Sequence, residues 1–139
     1  MLIVEIAKYL HNNNLGIFDE TGTSGNIFIS VLPSKPEQCI SIYQTGGATA
    51  DVKLGYDNPT IQLIVRGTGH PKNSYDKALD IYNQLHGLSA LEFIPGGSWI
   101  VSCIGLQSGP AYIGQDKNGR HEHSLNFILD VRNKSINRE

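Results

Sequence analysis

Apolar and polar residues alternate most clearly near the end of the chain, between His121 and Arg132. Every second position from 125 onward is apolar: Leu125, Phe127, Leu129 and Val131. A period of two predicts a half-buried strand, which only Ile128 interrupts on the polar side. The preceding segment Asp116–Gly119 contains an Asn-Gly pair, and both residues accept the positive φ angles of a tight hairpin turn. The pattern therefore predicts a hairpin within a β-sheet.

Two other segments have the 3.6-residue period of amphipathic helices. The first runs from Leu2 to Leu10 and ends at the asparagines that begin at Asn12. The second has an apolar stripe that consists of Tyr75, Ala78, Leu79, Tyr82 and Leu85. Asn73 or Ser74 is suited to cap its start, and Gly87 suits the left-handed position just past its end.

Four further strands are predicted by short apolar runs that end at turn residues. They are Asn26–Leu32, Cys39–Gln44, Thr60–Arg66 and Trp99–Ile104. The segment between the second and third of these, Thr45–Asn58, is rich in Gly, Ala, Asp and Lys and has no clear period. We interpret it as a long surface loop, and long loops in compact domains are usually functional or disordered.

Together these elements predict one α+β domain over residues 1–132. We expect a single antiparallel or mixed β-sheet of about five to six strands, with two helices packed on one face. A chain of 139 residues is long enough to bury such a core without a metal ion or a disulfide. Residues 133–139 are polar, and we expect them to form a disordered tail.

Composition excludes several classes of function. The formal net charge is −2 at pH 7, whereas a protein that binds nucleic acid by neutralising phosphates needs a positive surface. Cys39 and Cys103 lie in apolar strand-like segments, which is typical of buried free thiols. The chain shows neither a signal-peptide pattern nor a membrane-spanning apolar run, so we expect it to fold in a reducing cytoplasm.

His121 and His123 are the best candidates for metal ligands. Alternate residues of a strand point to the same side, so these two imidazoles could share a zinc or nickel ion. No further ligand lies at a matching spacing, and both residues share the parity of Leu125, which favours histidines at the rim of the core. The segment Gly67–Pro71 joins a strand to a helix but lacks the residues of a phosphate-binding loop. We therefore predict no metal, no cofactor, no catalytic residue and no enzymatic activity.

Aromatic residues at strand ends and in loops are the remaining signal. Tyr43, Tyr56 and Tyr112 each have such a position. An amphipathic ring there is typical of protein interfaces, because one edge packs and the other keeps its hydrogen bond. Ordinary packing at the edge of a sheet is the competing interpretation.

Four segments between about Gln38 and Val131 resemble, in unbroken order, the minor capsid proteins of tailed phages and prophages of Gram-positive bacteria. They are Ile40–Gly47, Pro59–Gly67, Tyr75–Leu88 and Ile113–Phe127. Within that group the chain is similar to tail terminators, small α+β subunits that form a ring on top of the tail tube. The resemblance implies a structural protein of the virion that carries no catalytic residues.

The resemblance also implies partners and a location. The partners are further copies of the chain in a ring of six, the tail tube protein and the head–tail connector proteins, and the protein occupies the host cytoplasm before assembly. Contacts with neighbouring copies or the tube are expected at Tyr43, Thr45, Gly46, Gly47, Asp51, Lys53, Tyr56 and Tyr112. A heterologous contact in a ring joins two different faces of one subunit, which strand edges and a long loop can provide.

Two alternative functions remain open from the sequence. One is a non-catalytic host or prophage module that binds a peptide or a small molecule through the loops that bear tyrosines. The other is a metal-binding enzyme that uses His121 and His123. A monomer that ignores tail proteins would favour the first alternative, and bound metal that raises the melting temperature would favour the second.

Overall fold

The computed structural model describes all residues, 1–139, and contains two helices and eight strands. In chain order these are α1 (Leu2–Asn12), β1 (Ile27–Ile29), β2 (Cys39–Gly47), β3 (Tyr56–Asp57), β4 (Pro59–Gly67), α2 (Pro71–Leu85), β5 (Leu88–Glu92), β6 (Trp99–Gly105), β7 (Ala111–Gln115) and β8 (His121–Arg132). The α+β class is confirmed. The predicted number of five to six strands is too low, because β3 and β5 were not foreseen.

All eight strands belong to one open sheet. Its main order is β1-β2-β4-β8-β6-β5, and β3 and β7 also pair with β8. β1 runs parallel to β2 and every other pair is antiparallel, so the sheet is mixed. The long strand β8 is central. On one side it pairs first with β4 and then with β3, and on the other side it pairs first with β7 and then with β6.

The two unforeseen strands carry little signal in the sequence. β3 has only two residues, and its pairing with Val131 and Arg132 depends on the far end of β8. β5 follows α2 almost directly, and three of its five residues are exposed. Its central residue, Ala90, has a positive φ of 53°. Neither segment therefore shows the alternation by which strands are recognised.

One hydrophobic core joins both helices to the sheet. The apolar positions of β8 foreseen from the period of two, Leu125 through Val131, are all buried. From the helices, the cluster receives Ile3, Ile6, Ala7, Leu10, Ala78, Ile81 and Leu85. The buried apolar face of α1 lies within the helix predicted from Leu2 to Leu10, and Leu2 is at the margin of this face.

The start of α2 and its buried stripe differ from the prediction. The helix begins at Pro71, and the imidazole of His70, rather than Asn73 or Ser74, accepts the cap hydrogen bond from the amide of Lys72 (3.1 Å). The buried positions are Ser74, Ala78, Ile81 and Leu85. Tyr75 is exposed because the helix is rotated so that Ile81 faces the sheet. Gly87 has the expected positive φ, 89°.

The hairpin between β7 and β8 has a five-residue loop, 116–120, rather than a tight two-residue turn. Of the Asn-Gly pair only Gly119 has a positive φ (76°). The Asp116 carboxylate explains the difference, since it accepts hydrogen bonds from the amides of Asn118 and Arg120 and pairs with the Arg120 side chain (2.8 Å). That arginine is buried and also donates to the carbonyl of Ser34.

Cys39 and Cys103 are buried free thiols, as predicted. They lie on β2 and β6, and β4 and β8 run between these strands. Three strand spacings amount to roughly 14 Å, too far for a disulfide. Burial raises the pKa of the Cys103 thiol to about 12 and also raises that of Cys39. Both side chains therefore behave as small apolar groups.

Candidate functional site

Three of the predicted contact residues, Tyr43, Thr45 and Tyr56, lie on the face of the sheet that points away from the core. Tyr43 is opposite Gln62 on the neighbouring strand, and Tyr56 is opposite Arg132, whose guanidinium lies 4.7 Å from the centre of the tyrosine ring. The hydroxyls of Thr45 and Thr60 are 2.7 Å apart. Thr45 and Tyr56 lie toward one end of the sheet, whereas Tyr43 is level with Asn126, six positions before Arg132 on β8.

A bulge made by Gly46 and Gly47 ends β2 at this place. Their φ angles are +95° and +129°, and the pairing with β4 shifts register between Gln44 and Gly47. A side chain at position 47 would put its Cβ 2.2 Å from the carbonyl oxygen of Asn58. Thr45–Gly47 are thus part of a strand rather than of the loop predicted from Thr45 to Asn58, which is confined to 48–55 and 58 on either side of β3.

The connection that follows is fastened by its own side chains and by the end of the chain. The Asp51 carboxylate accepts hydrogen bonds from the amides of Lys53 (2.7 Å) and Leu54 (2.6 Å). Gly55 and Glu139 are joined by a hydrogen bond of 2.5 Å from the amide to the carbonyl. The amide of Glu139 in turn donates to the carbonyl of Lys53 (2.9 Å).

Arg138 completes this fastening. Its guanidinium donates to the carbonyls of Leu54 (3.2 Å) and Tyr56 (3.1 Å) and pairs with Asp57 (2.7 Å). The side-chain amide of Asn133 and this guanidinium hold the pKa of Asp57 below its usual range. The polar end of the chain therefore lies along the predicted contact loop, while its mobility in solution stays a prediction.

The fastened segment presents apolar side chains to solvent. Val52 is 76 % exposed, Ile136 is 98 % exposed and Leu54 is more than half exposed. We call the segments 45–57 and 135–139 the loop surface. A group of exposed aliphatic side chains is typical of an interaction site.

Tyr112 lies far from the loop surface. It is opposite His123 on β8, whereas Tyr56 is opposite Arg132. Nine positions along one strand separate these partners, which corresponds to about 30 Å. The Tyr112 hydroxyl lies 2.9 Å from Nδ1 of His121, and its ring packs against His123. The structure thus separates Tyr112 from the predicted contact residues of the loop surface, and Tyr43 lies between them.

Tyr112 belongs to a free edge of the sheet. β7 pairs only with β8, and β5 covers β6 only as far as Cys103. Exposed large apolar side chains occur along this edge on both faces of the sheet, since Ile104 is opposite Ile128 and Tyr112 is opposite His123. We call them the edge surface: Ile104, Leu106, Tyr112 and Ile113. The sequence singled out only the tyrosine, since which strands form an edge depends on pairing that the sequence does not show.

The two candidate metal ligands are occupied by other contacts. Nδ1 of His123 lies 2.8 Å from the Ser74 hydroxyl, and His121 faces the Tyr112 hydroxyl. No group of three or more His, Cys, Asp and Glu side chains is arranged to hold a metal ion. Burial, and after it the nearby charge of His121, lowers the pKa of His123.

The side chains of Ser74 and His123 are as close as a catalytic nucleophile and its base, but their surroundings do not suit catalysis. The Ser74 side chain is 2 % exposed, so a substrate cannot reach its hydroxyl. Aromatic rings pack on the imidazole of His123 from two sides, Tyr75 and Tyr112. A base in a catalytic triad needs a third polar group to orient it. The pair therefore ties α2 to β8.

Comparison with known families identifies the chain. The family model described as bacteriophage tail terminator protein matches residues 9–133, which include every strand, all of α2 and the last four residues of α1. No curated protein sequence matches the chain. Neither helix combines the length and the apolar character of a membrane span. The chain thus belongs to the bacteriophage tail terminator family and is a structural protein of the phage tail.

Proposed function

We propose that this protein forms a closed ring of identical subunits, six by family resemblance, at the head-proximal end of the tail tube. The observation that carries this proposal is the separation of Tyr112 on the edge surface from Tyr56 on the loop surface by about 30 Å along β8. A subunit in a ring needs distinct surfaces for its neighbours and for the structure it caps. One compact patch could not contact both.

The edge surface is the part that contacts a neighbouring copy. A free strand edge with exposed apolar side chains tends to pair with another chain, and proteins normally cover or interrupt such edges. Tyr112 and Ile113 are each about half exposed on β7, and Gly114 interrupts its register with β8. A ring covers this edge in every subunit.

The loop surface is the part that contacts the tail tube. Its exposed aliphatic residues and the exposed Lys53 stand at one end of the sheet, next to Tyr56. Residues 48–52 have few backbone hydrogen bonds of their own, and we expect them to become ordered on contact with the tube. The head–tail connector proteins bind the opposite side of the ring.

The charge of the molecule suits a ring through which DNA passes. The net charge of −2 gives no general attraction for phosphates, so DNA would pass without being held. Before assembly the subunit resides in the host cytoplasm, where the buried thiols stay reduced. No specific contact with DNA bases is part of the proposal.

Binding to tail tubes of the same phage tests the role of the loop surface. The variant Val52→Ser/Leu54→Ser removes two exposed aliphatic side chains that make no side-chain hydrogen bonds, so its melting temperature should match the wild type. We expect its affinity for purified tubes, measured by co-sedimentation, to fall about tenfold or more, because hot-spot residues typically contribute over 1 kcal/mol each. Asp80→Asn, on the exposed side of α2, is the matched control. Equal binding by both variants would contradict this role.

A further inference from the structure

An apolar groove lies between α1 and the edge strand β1, and neither the fold nor the proposed ring assigns it a role. Its volume is about 400 Å³. The apolar residues that line it are Val4, Phe18, Ile27, Phe28, Ile29 and Val31. Lys8, Asp19 and Glu20 form its polar rim, and Lys8 pairs with Glu20 at 2.5 Å.

We propose that this groove binds the edge surface of the next copy of the chain. The inference rests on the proposed ring and names the contact that closes it. The groove and the edge surface lie at opposite margins of one sheet, β1 at one margin and β7 with the end of β6 at the other. About four strand spacings, or roughly 20 Å, separate them.

This placement gives a heterologous contact. The same two surfaces are present on every copy, so each subunit offers its edge to one neighbour and its groove to the other. A contact of this kind forms a ring when the rotation closes and an open filament when it does not. No other partner is needed to cover either apolar surface.

The edge surface offers enough apolar area for a subunit interface. Four large side chains, each about half exposed, offer on the order of 400 Å² of apolar surface at the edge. A standard interface buries about 800 Å² on each partner, and somewhat more than half of that area is apolar. The edge surface therefore accounts for the apolar part of one such interface.

The charges also agree. Three neighbouring hydroxyl residues, Thr21, Thr23 and Ser24, donate to the Asp19 carboxylate and hold its pKa well below the usual range, so this rim group stays negative. With Lys8 paired to Glu20, the rim keeps one uncompensated negative charge. In the β7–β8 hairpin, Asp116 pairs with Arg120, which leaves Lys117 exposed and without an ion-pair partner. The two surfaces thus attract each other.

Mixing two variants tests the contact. Ile113→Glu places a charge on the edge surface and leaves the groove intact, while Val31→Glu places a charge at the groove and leaves the edge intact. Both side chains are about half exposed, so the two variants should fold with wild-type melting temperatures. Asn83→Glu, at an exposed position of α2 outside both surfaces, is the matched control.

We expect light scattering and negative-stain microscopy to show rings for the wild type and for Asn83→Glu, alone or on tail tubes, and monomers for each of the other variants. An equimolar mixture of Ile113→Glu and Val31→Glu should give dimers, since one intact edge meets one intact groove and no further contact can form. No contact other than this heterologous one predicts dimers from two monomeric variants.

Two outcomes would overturn the inference. Rings from Val31→Glu would show that the groove is not used between copies, while the proposed ring would stand. A wild type that forms no rings, even with tubes, would remove the proposed function itself and the inference with it. If an apolar dye binds the wild-type groove and Val31→Glu abolishes this binding but not the rings, the groove is a small-molecule site.

Discussion

Gly46 and Gly47 are adjacent in the chain, but their surroundings differ. Both have a positive φ, which strains any residue with a side chain by about 1 to 2 kcal/mol. Position 46 faces open space, whereas a Cβ at position 47 would overlap the Asn58 carbonyl and Pro59. We therefore expect Gly46→Ala to lower the free energy of unfolding by about 1 kcal/mol and Gly47→Ala by about 3 kcal/mol or more. Urea unfolding measures both, and equal losses would contradict the described bulge.

His123 should make stability depend on pH. Its pKa is lowered in the folded protein, so the unfolded chain binds the proton more readily. Its contribution is fully present above its ordinary pKa of 6.5 and is lost as pH falls toward the lowered value. Urea unfolding between pH 7.5 and 5 should show a decline that His123→Gln reduces.

Another group acts in the opposite direction over part of this range. Burial raises the pKa of Glu122, which favours the folded state as pH falls. Both proteins contain Glu122, so its contribution cancels when the free energy of unfolding of His123→Gln is subtracted from that of the wild type at each pH. An unchanged pH dependence in the variant would show that His123 is not the group responsible.

The burial of a single residue was predictable where the local periodicity of the sequence determined it. The parity that places His123 with Leu125 could be read from the sequence, and His123 is indeed buried. The burial of Arg66 could not, since its partners are the carbonyls of Pro33, Pro36 and Glu37, about thirty residues away in the chain. Nothing in the local pattern indicates that such a guanidinium is satisfied by backbone carbonyls.

At the scale of elements, the contact between the chain end and the loop surface makes a second prediction. Arg138 contributes three of the hydrogen bonds that hold Leu54, Tyr56 and Asp57. Hydrogen bonds from a charged donor contribute about 1.5 to 3 kcal/mol. We expect Arg138→Ala to speed amide exchange at residues 53–57 by tenfold or more.

Lys134→Ala is the control for this experiment, because Lys134 is an exposed lysine of the same segment without an ion-pair partner. Amide exchange of residues 135–139 in the wild type also tests the expectation of a disordered tail. Fast exchange there, together with no effect of Arg138→Ala, would mean that the segment does not hold the loop in solution.

Long periodic elements were predicted well and short ones were not. β8, β4 and α1 have enough turns or alternations to be recognised, and their periodic apolar residues are buried. β3 and β5 exist because a longer strand offers them a pairing edge. The buried face of α2 was predicted incorrectly because tyrosines at the margin of the helix resemble core residues in the sequence. In the structure Ile81, rather than the tyrosines, faces the sheet.

At the scale of the whole molecule, family membership followed from the order of several weak similarities. The matched region, residues 9–133, includes all four segments on which the resemblance depends. The sequence also predicted a set of contact residues, but not their division between two distant places in the sheet. That division depends on β8, whose length separates Tyr56 from Tyr112.

The central claim is that this protein closes the tail tube as a ring. Negative-stain microscopy with light scattering on the purified protein, alone and mixed with tail tubes of its own phage, tests it most directly. We predict rings, or caps seated on one end of the tubes, with Val52→Ser/Leu54→Ser failing to seat. A persistent monomer that ignores the tubes would contradict the account.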